Sequence, residues 1–386
     1  MFRQRLQQLA TQSLDRQLKV LTSATGPTVE LSGRQVILLS SNDYLGLATH
    51  PDVVQAAVRA TEQYGAGAGA SRLVCGTLPP HELLESSLAT FKHAEAALVF
   101  GSGYLANLGV ITCLIGRGGL ILADRLCHAS LIDACRLSGA DLRIYRHTDS
   151  AQVEALLKRR PSHRPTLIVT DGLFSMDGDL APLPELAALA ENYHATLYVD
   201  DAHGTAIMGP TGRGTLEHFA VESRVPFHMG TLGKALGSSG AYVVGPRDMI
   251  EYLINTSRPF MFTTAPPPGT VAAAAAALAV VQREPERRAR LWSNQRRLLD
   301  GLRQLGFRLT PTVSPILPIL IGSAPKALAF AEHLLANGVF APAIRPPTVP
   351  DSTSRIRVTV TSEHTSEQID EALRAFDQAG RTAGIL

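Results

Sequence analysis

The chain has 386 residues, too many for one small core and enough for a large domain with a smaller partner. It is 45% hydrophobic and 18% charged, which argues against disorder, and its formal net charge of +2 gives no global basic field for nucleic acid or membrane surfaces. The four cysteines, Cys75, Cys113, Cys127 and Cys135, form no CxxC pair, so the expectation is reduced thiols, no metal site and a cytoplasmic protein.

Residues 1–13 are polar and lack the apolar core of a signal peptide. Leu6, Leu9 and Leu14 recur among polar residues, which predicts a surface helix over 2–21. A short strand is expected at 36–39, turn chemistry at Ser41-Asn42-Asp43, and a helix over 51–64 with Pro51 in its first turn. The middle of the chain alternates strands and helices. Apolar strand candidates lie at 97–100, 120–123, 142–145, 167–170, 197–199, 227–229 and 241–244, with helices such as 105–114, 151–159 and 183–193 between them. Runs this apolar suit strands buried on both faces, and the order predicts a mostly parallel sheet with helices on both sides. The most apolar run, 270–281, is alanine-rich and short of the roughly 20 residues a membrane helix needs. A long helix is expected over 271–305, then a strand at 316–321, a helix over 325–337, a Pro-rich loop at 346–350, a strand at 355–360 and a final helix from 366. These read as a smaller α+β domain. The expected division is 1–45 (N-terminal helix and arm), 46–270 (large domain) and 271–386 (small domain packed with the arm).

Ligands of open parallel sheets bind beyond the C-terminal ends of the strands. Lys234 follows one such strand across Gly230-Thr231-Leu232-Gly233, with Gly237, Ser238, Ser239 and Gly240 close behind. Small neighbours permit close approach, and a shielded lysine amine becomes a nucleophile. Asp200 ends a second strand, His128 follows a third and Ser175 a fourth. An aspartate there can pair with a protonated pyridine nitrogen, the electron sink of a pyridoxal cofactor. Gly101-Ser102-Gly103-Tyr104 opens a helix whose N-terminus suits a phosphate. Phosphate-loop, dinucleotide, zinc-protease and serine-hydrolase motifs all fail on spacing.

With Ser41-Asn42-Asp43-Tyr44-Leu45-Gly46, Ala123-Asp124-Arg125-Leu126-Cys127-His128-Ala129-Ser130, Asp171-Gly172-Leu173-Phe174-Ser175-Met176-Asp177-Gly178, Asp200-Asp201-Ala202-His203-Gly204 and Thr231-Leu232-Gly233-Lys234 in place, the chain resembles the α-oxoamine synthases over nearly its whole length. These are fold-type I pyridoxal 5'-phosphate transferases, with a mostly parallel large-domain sheet and a smaller α+β C-terminal domain. The resemblance implies a Schiff base at Lys234, which also serves as the base. It implies His128 stacked on the ring, Asp200 at the ring nitrogen, and Ser175 and His203 at the ring hydroxyl. Gly103, Tyr104 and Thr231 would hold the phosphate, with Thr263 or Thr264 of a partner subunit. Asn42 and Arg345 would hold the amino-acid carboxylate, and Arg16, Thr348 and His128 would meet the acyl substrate.

Within that family Ala343-Ile344-Arg345-Pro346-Pro347-Thr348-Val349-Pro350 looks like the biotin-pathway member, which condenses L-alanine with a pimeloyl thioester on CoA or acyl carrier protein. Arg72-Leu73-Val74-Cys75-Gly76-Thr77 instead looks like the glycine-using 2-amino-3-ketobutyrate CoA ligases. The implied assembly is a homodimer with shared sites. An aminotransferase or lyase on the same fold is the alternative reaction class.

Overall fold

The computed structural model describes residues 1–386. The chain divides into two compact units, residues 50–175 with 180–285, and residues 1–49 with 176–179 and 286–386.

The larger unit is built on a seven-stranded sheet. Its spatial order is Ala96–Phe100, Ala241–Gly245, His228–Thr231, Thr196–Asp200, Thr166–Asp171, Leu120–Asp124 and Asp141–Tyr145. All neighbours pair in parallel except Ala241–Gly245, which runs antiparallel to both strands beside it. Every strand expected from apolar runs is present; six are lengthened at one or both ends by polar or small residues, and the one expected at 227–229 is shifted to His228–Thr231. The central strands are buried on both faces, which explains why they lack polar alternation.

Side chains still alternate between faces with period two. Leu120, Leu122, Ile168, Leu197 and Val199 pack in one core. Ile121, Ala123, Leu167, Val169, Tyr198 and Met229 pack in the other, together with Ala106 and Val110 of the helix Gly103–Leu114. Counting on by twos, Asp171, Asp200 and Thr231 fall on the face covered by that helix. Three strand-end polar groups are thereby aimed the same way.

The smaller unit holds two three-stranded sheets. One pairs Ile316–Gly322, Ser354–Thr359 and Ala343–Ile344 in antiparallel fashion. The other sets Thr28–Leu31, Arg34–Leu38 and Val339–Phe340 side by side. The helices Glu286–Gln304, Ala324–Ala336 and Ser366–Thr382 belong to it, and Phe307, Phe330 and Phe376 cluster within it. Thr365 and Gln368 form a capping box that fixes the start of the last helix.

Two expected helices end differently. The N-terminal one stops at Thr11, because Ser13 turns into the left-handed region at φ 56°. The stretch expected as one helix over 271–305 is two, Pro268–Arg283 and Glu286–Gln304. Pro285 cannot donate to the preceding turn and breaks it. The break also marks the unit boundary, which lies at 285/286 rather than at the expected 270/271. No helix is long and apolar enough to cross a membrane.

Candidate active site

Asp200 is 4% exposed at the end of its strand. Its Oδ1 accepts from the amide of Ala202 at 3.0 Å and its Oδ2 from Nδ2 of Asn107 at 2.8 Å. Each carboxylate oxygen thus keeps acceptor capacity while its direction is fixed. Asp171, its register partner on the adjacent parallel strand, accepts the His128 amide at 2.8 Å. Burial and then the Asp200 charge push the Asp171 carboxyl well above the usual range. Both effects disfavour the ionised form of Asp171.

Lys234 lies three residues beyond the end of strand His228–Thr231, half-buried, with Nζ 3.5 Å from Oγ1 of Thr231. His128 feels both Lys234 and Asp200. Burial of its inner edge lowers its pKa, the Asp200 carboxylate opposes that, and the Lys234 ammonium adds to it. Lys234, Asp200 and His128 therefore share one electrostatic site. His203 is buried three residues past Asp200, and Ser175 is half-buried four residues past Asp171.

Gly103 begins the helix Gly103–Leu114, capped by Ser102, whose hydroxyl accepts the Leu105 amide at 3.2 Å. A Cβ on Gly103 would lie 3.0 Å from Cγ2 of Thr231 and 3.2 Å from Cε of Met229. The helix N-terminus and the Thr231 side chain are thus neighbours. Tyr104 turns its ring hydroxyl to Asp133, donating at 2.5 Å, so only its backbone remains for an anion. These groups fit pyridoxal phosphate. An amine, a fixed buried carboxylate and an imidazole are the groups a charged pyridine ring needs, and a helix N-terminus with a hydroxyl-bearing side chain beside it suits a phosphate.

The other expected residues belong to the smaller unit. Arg16 donates to the Pro346 carbonyl at 3.1 Å, and the Thr348 amide donates to the Arg345 carbonyl at 3.1 Å. Arg345 is 8% exposed and gives its guanidinium to the carbonyls of Ser13 and Asp15, the latter at 2.9 Å. Asn42 is held elsewhere. Its Oδ1 accepts from Nη2 of Arg357 at 3.2 Å.

Arg357 escaped the sequence reading, because Arg355 and Arg357 alternate with apolar residues as solvent-facing side chains do. Both are buried. Asn107, Ser130 and Tyr198 escaped it too, although an asparagine inside an apolar helix is a signal in itself. Arg72, whose segment raised the glycine-using alternative, is spent on Glu85 through two bonds of 2.8 and 3.0 Å.

Residues 34–376 match the family model for aminotransferase class I and II. The 8-amino-7-oxononanoate synthase of Symbiobacterium thermophilum is 47% identical over 97% of this chain and 95% of that protein. The one from Anaeromyxobacter dehalogenans is 50% identical over 96% and 93%. The chain belongs to the 8-amino-7-oxononanoate synthase family. Members of this family and of the wider α-oxoamine synthase group share the fold. A serine palmitoyltransferase from S. paucimobilis with a bound PLP–myriocin aldimine superposes at TM-score 0.96, with 34% identity over 100% of this chain and 98% of that one. An 8-amino-7-oxononanoate synthase from Francisella tularensis gives 0.78, with 29% identity over 90% and 98%. Pyridoxal phosphate is the cofactor, and the fold is that of fold-type I enzymes, as the sequence implied.

Proposed function

We propose that the chain condenses L-alanine with a pimeloyl thioester, releasing CO2 and the free thiol and forming 8-amino-7-oxononanoate for biotin synthesis. The observation that carries this reading is 45–50% identity, over nearly the whole chain, to proteins of that name. Its three-dimensional likeness to a serine palmitoyltransferase supports the broader reaction type, carbon–carbon bond formation between an amino acid and an acyl thioester.

Bound pyridoxal phosphate supplies the sink for electrons released at the substrate Cα. The chain supplies the rest. Lys234 anchors the cofactor between turnovers, and its freed Nζ takes the Cα proton. Asp200 holds a proton on the ring nitrogen. His128 would cover the ring on the acyl side, and Ser175 and His203 would hold the ring hydroxyl. The amides of Gly103 and Tyr104 and the hydroxyl of Thr231 hold the phosphate. Thr263 or Thr264 of a second copy would complete that site in a homodimer.

The substrate carboxylate was expected on Asn42 and Arg345. Arg357 is the better cation for it, because it already hydrogen-bonds Asn42 while Arg345 is committed to the arm carbonyls. Arg16 and Arg345 border a cavity walled by Leu328, Leu335 and Phe340, which suits an aliphatic acyl chain with an acidic tip. Thr348 follows on the same loop.

The test is a panel of alanine, glycine and serine against pimeloyl, acetyl and palmitoyl thioesters, with pimeloyl on both CoA and acyl carrier protein. Thiol release should require alanine and a pimeloyl group. Preference for glycine with acetyl-CoA, or for serine with palmitoyl-CoA, would replace this reading with another member of the group. Amino transfer without thiol release would replace the reaction class.

A further inference from the structure

Behind the cofactor residues runs a polar chain that no motif revealed. Tyr198 is fully buried, and its hydroxyl lies 3.0 Å from Oδ1 of Asn107, itself 0% exposed. Nδ2 of Asn107 lies 2.8 Å from Oδ2 of Asp200 and 2.8 Å from Oγ of Ser130. Oγ of Ser130 lies 2.7 Å from Nδ1 of His128, and the Ser130 amide donates to the same nitrogen at 3.3 Å.

The direction of every bond in this chain follows from what each atom can do. A carboxylate only accepts, so the Asn107 amide nitrogen must face Asp200 and its oxygen must face Tyr198. The tyrosine hydroxyl then donates to that oxygen. The second Nδ2 proton of Asn107 goes to Ser130, whose own proton is left to turn toward His128. Nδ1 of His128 accepts from both the hydroxyl and the amide of Ser130, so the imidazole proton must sit on Nε2.

The local fold favours the same state. His128 caps the N-terminus of the helix Ala129–Ser138, where the backbone dipole disfavours a cation. Burial lowers its pKa further, ahead of the opposing Asp200 charge. A neutral ring can lie against a cationic pyridine without repulsion, and its Nε2–H remains free to donate to a developing oxyanion.

We propose that Asn107 and Ser130 are positioning residues, which orient Asp200 and lock His128 as the Nε2–H tautomer through one directional chain that starts at Tyr198. This rests on the reading that Asp200 and His128 face the cofactor ring.

The test uses the full chain loaded with pyridoxal phosphate and labelled with 15N-histidine, read by two-bond 15N–1H correlation, with the His128 signals assigned by their loss in His128→Asn. Wild type should show the Nε2–H form alone. Ser130→Ala should give a mixture of tautomers and lower kcat about tenfold while the KM for alanine holds. Ser130→Thr, which keeps the hydroxyl, should restore the wild-type tautomer. Asn107→Asp is isosteric and removes the two amide donors; the one proton that two adjoining carboxyl groups share stays between the new carboxyl and Asp200, so Ser130 receives none, its own proton turns inward and His128 should leave the Nε2–H form. An Nδ1–H ring in the wild type would overturn the proposal. So would an unchanged tautomer in both Ser130→Ala and Asn107→Asp; if the latter does not fold, Ser130→Ala decides alone. The NMR signal does not depend on which substrates turn over, so a failed substrate panel and a failed tautomer assignment remain separate results.

Discussion

In the proposed site Asp200 would make a charge-assisted hydrogen bond to the ring nitrogen, worth about 1.5–3 kcal/mol. Asp200→Asn keeps the side-chain shape and one of the two acceptor contacts, with Asn107 or Ala202, and removes that charge. Turnover with alanine should drop at least roughly tenfold, with the cofactor still retained, as followed by visible absorbance and steady-state rates. Arg357→Gln should raise the KM for alanine by about tenfold or more, because a guanidinium–carboxylate pair is lost. Arg345→Gln should leave that KM closer to wild type if its guanidinium serves the arm carbonyls, and equal effects would return the role to Arg345. At this scale Lys234, Asp200 and His128 were legible because strand ends are where the fold exposes polar groups. Arg357 was not, since a two-residue alternation looks the same whether the polar face meets water or a buried asparagine.

The helix Gly103–Leu114 does two things at once. Its N-terminus approaches Thr231, and its middle turn carries Asn107 to Asp200. Gly103→Ala should therefore speed cofactor loss without lowering the unfolding temperature, because alanine suits the helix but its Cβ crowds Thr231 and Met229. Dilution into cofactor-free buffer, followed by absorbance, checks this. The sequence located the helix and its glycine turn. It could not pair Asn107 with Asp200, because that contact needs the sheet parity and the packing of a helix 93 positions away. The same holds for Lys92, which is buried 3.7 Å from Asp201 and donates to Oγ1 of Thr205 at 3.2 Å. Burial pushes the Asp201 carboxyl up to about 6, and Lys92 opposes it. Lys92→Met removes the cation that opposes this, so the Asp201 carboxyl moves higher still and the buried carboxylate is left without its partner, which should cost about 3–5 kcal/mol of stability. The loss should be larger at pH 8 than at pH 5, where Asp201 can take a proton, as denaturant unfolding at the two pH values would reveal.

Across the whole molecule, the strands and their mostly parallel pairing followed from apolar runs along the chain, while their spatial order needed the fold and the unit boundary was set by one proline. Ionisation also acts at this scale. His364 is buried in the smaller unit, accepts the Thr361 amide at 3.0 Å, and has its pKa lowered by burial from 6.5 to about 4. A lowered folded-state value means its contribution is complete above pH 6.5 and is lost as the pH falls toward 4, at about 1.4 kcal/mol per unit. His364→Gln should flatten the acid slope of stability by that amount in the same window, and an unchanged slope would remove His364 as its source. Lys234 is the residue proposed to carry the cofactor, and every other role in the site is placed around it. Borohydride reduction of the cofactor-loaded protein, followed by proteolysis and mass spectrometry, reads that residue directly. A pyridoxyl group on the Lys234 peptide is the predicted result, and a pyridoxyl group on any other lysine would contradict the account.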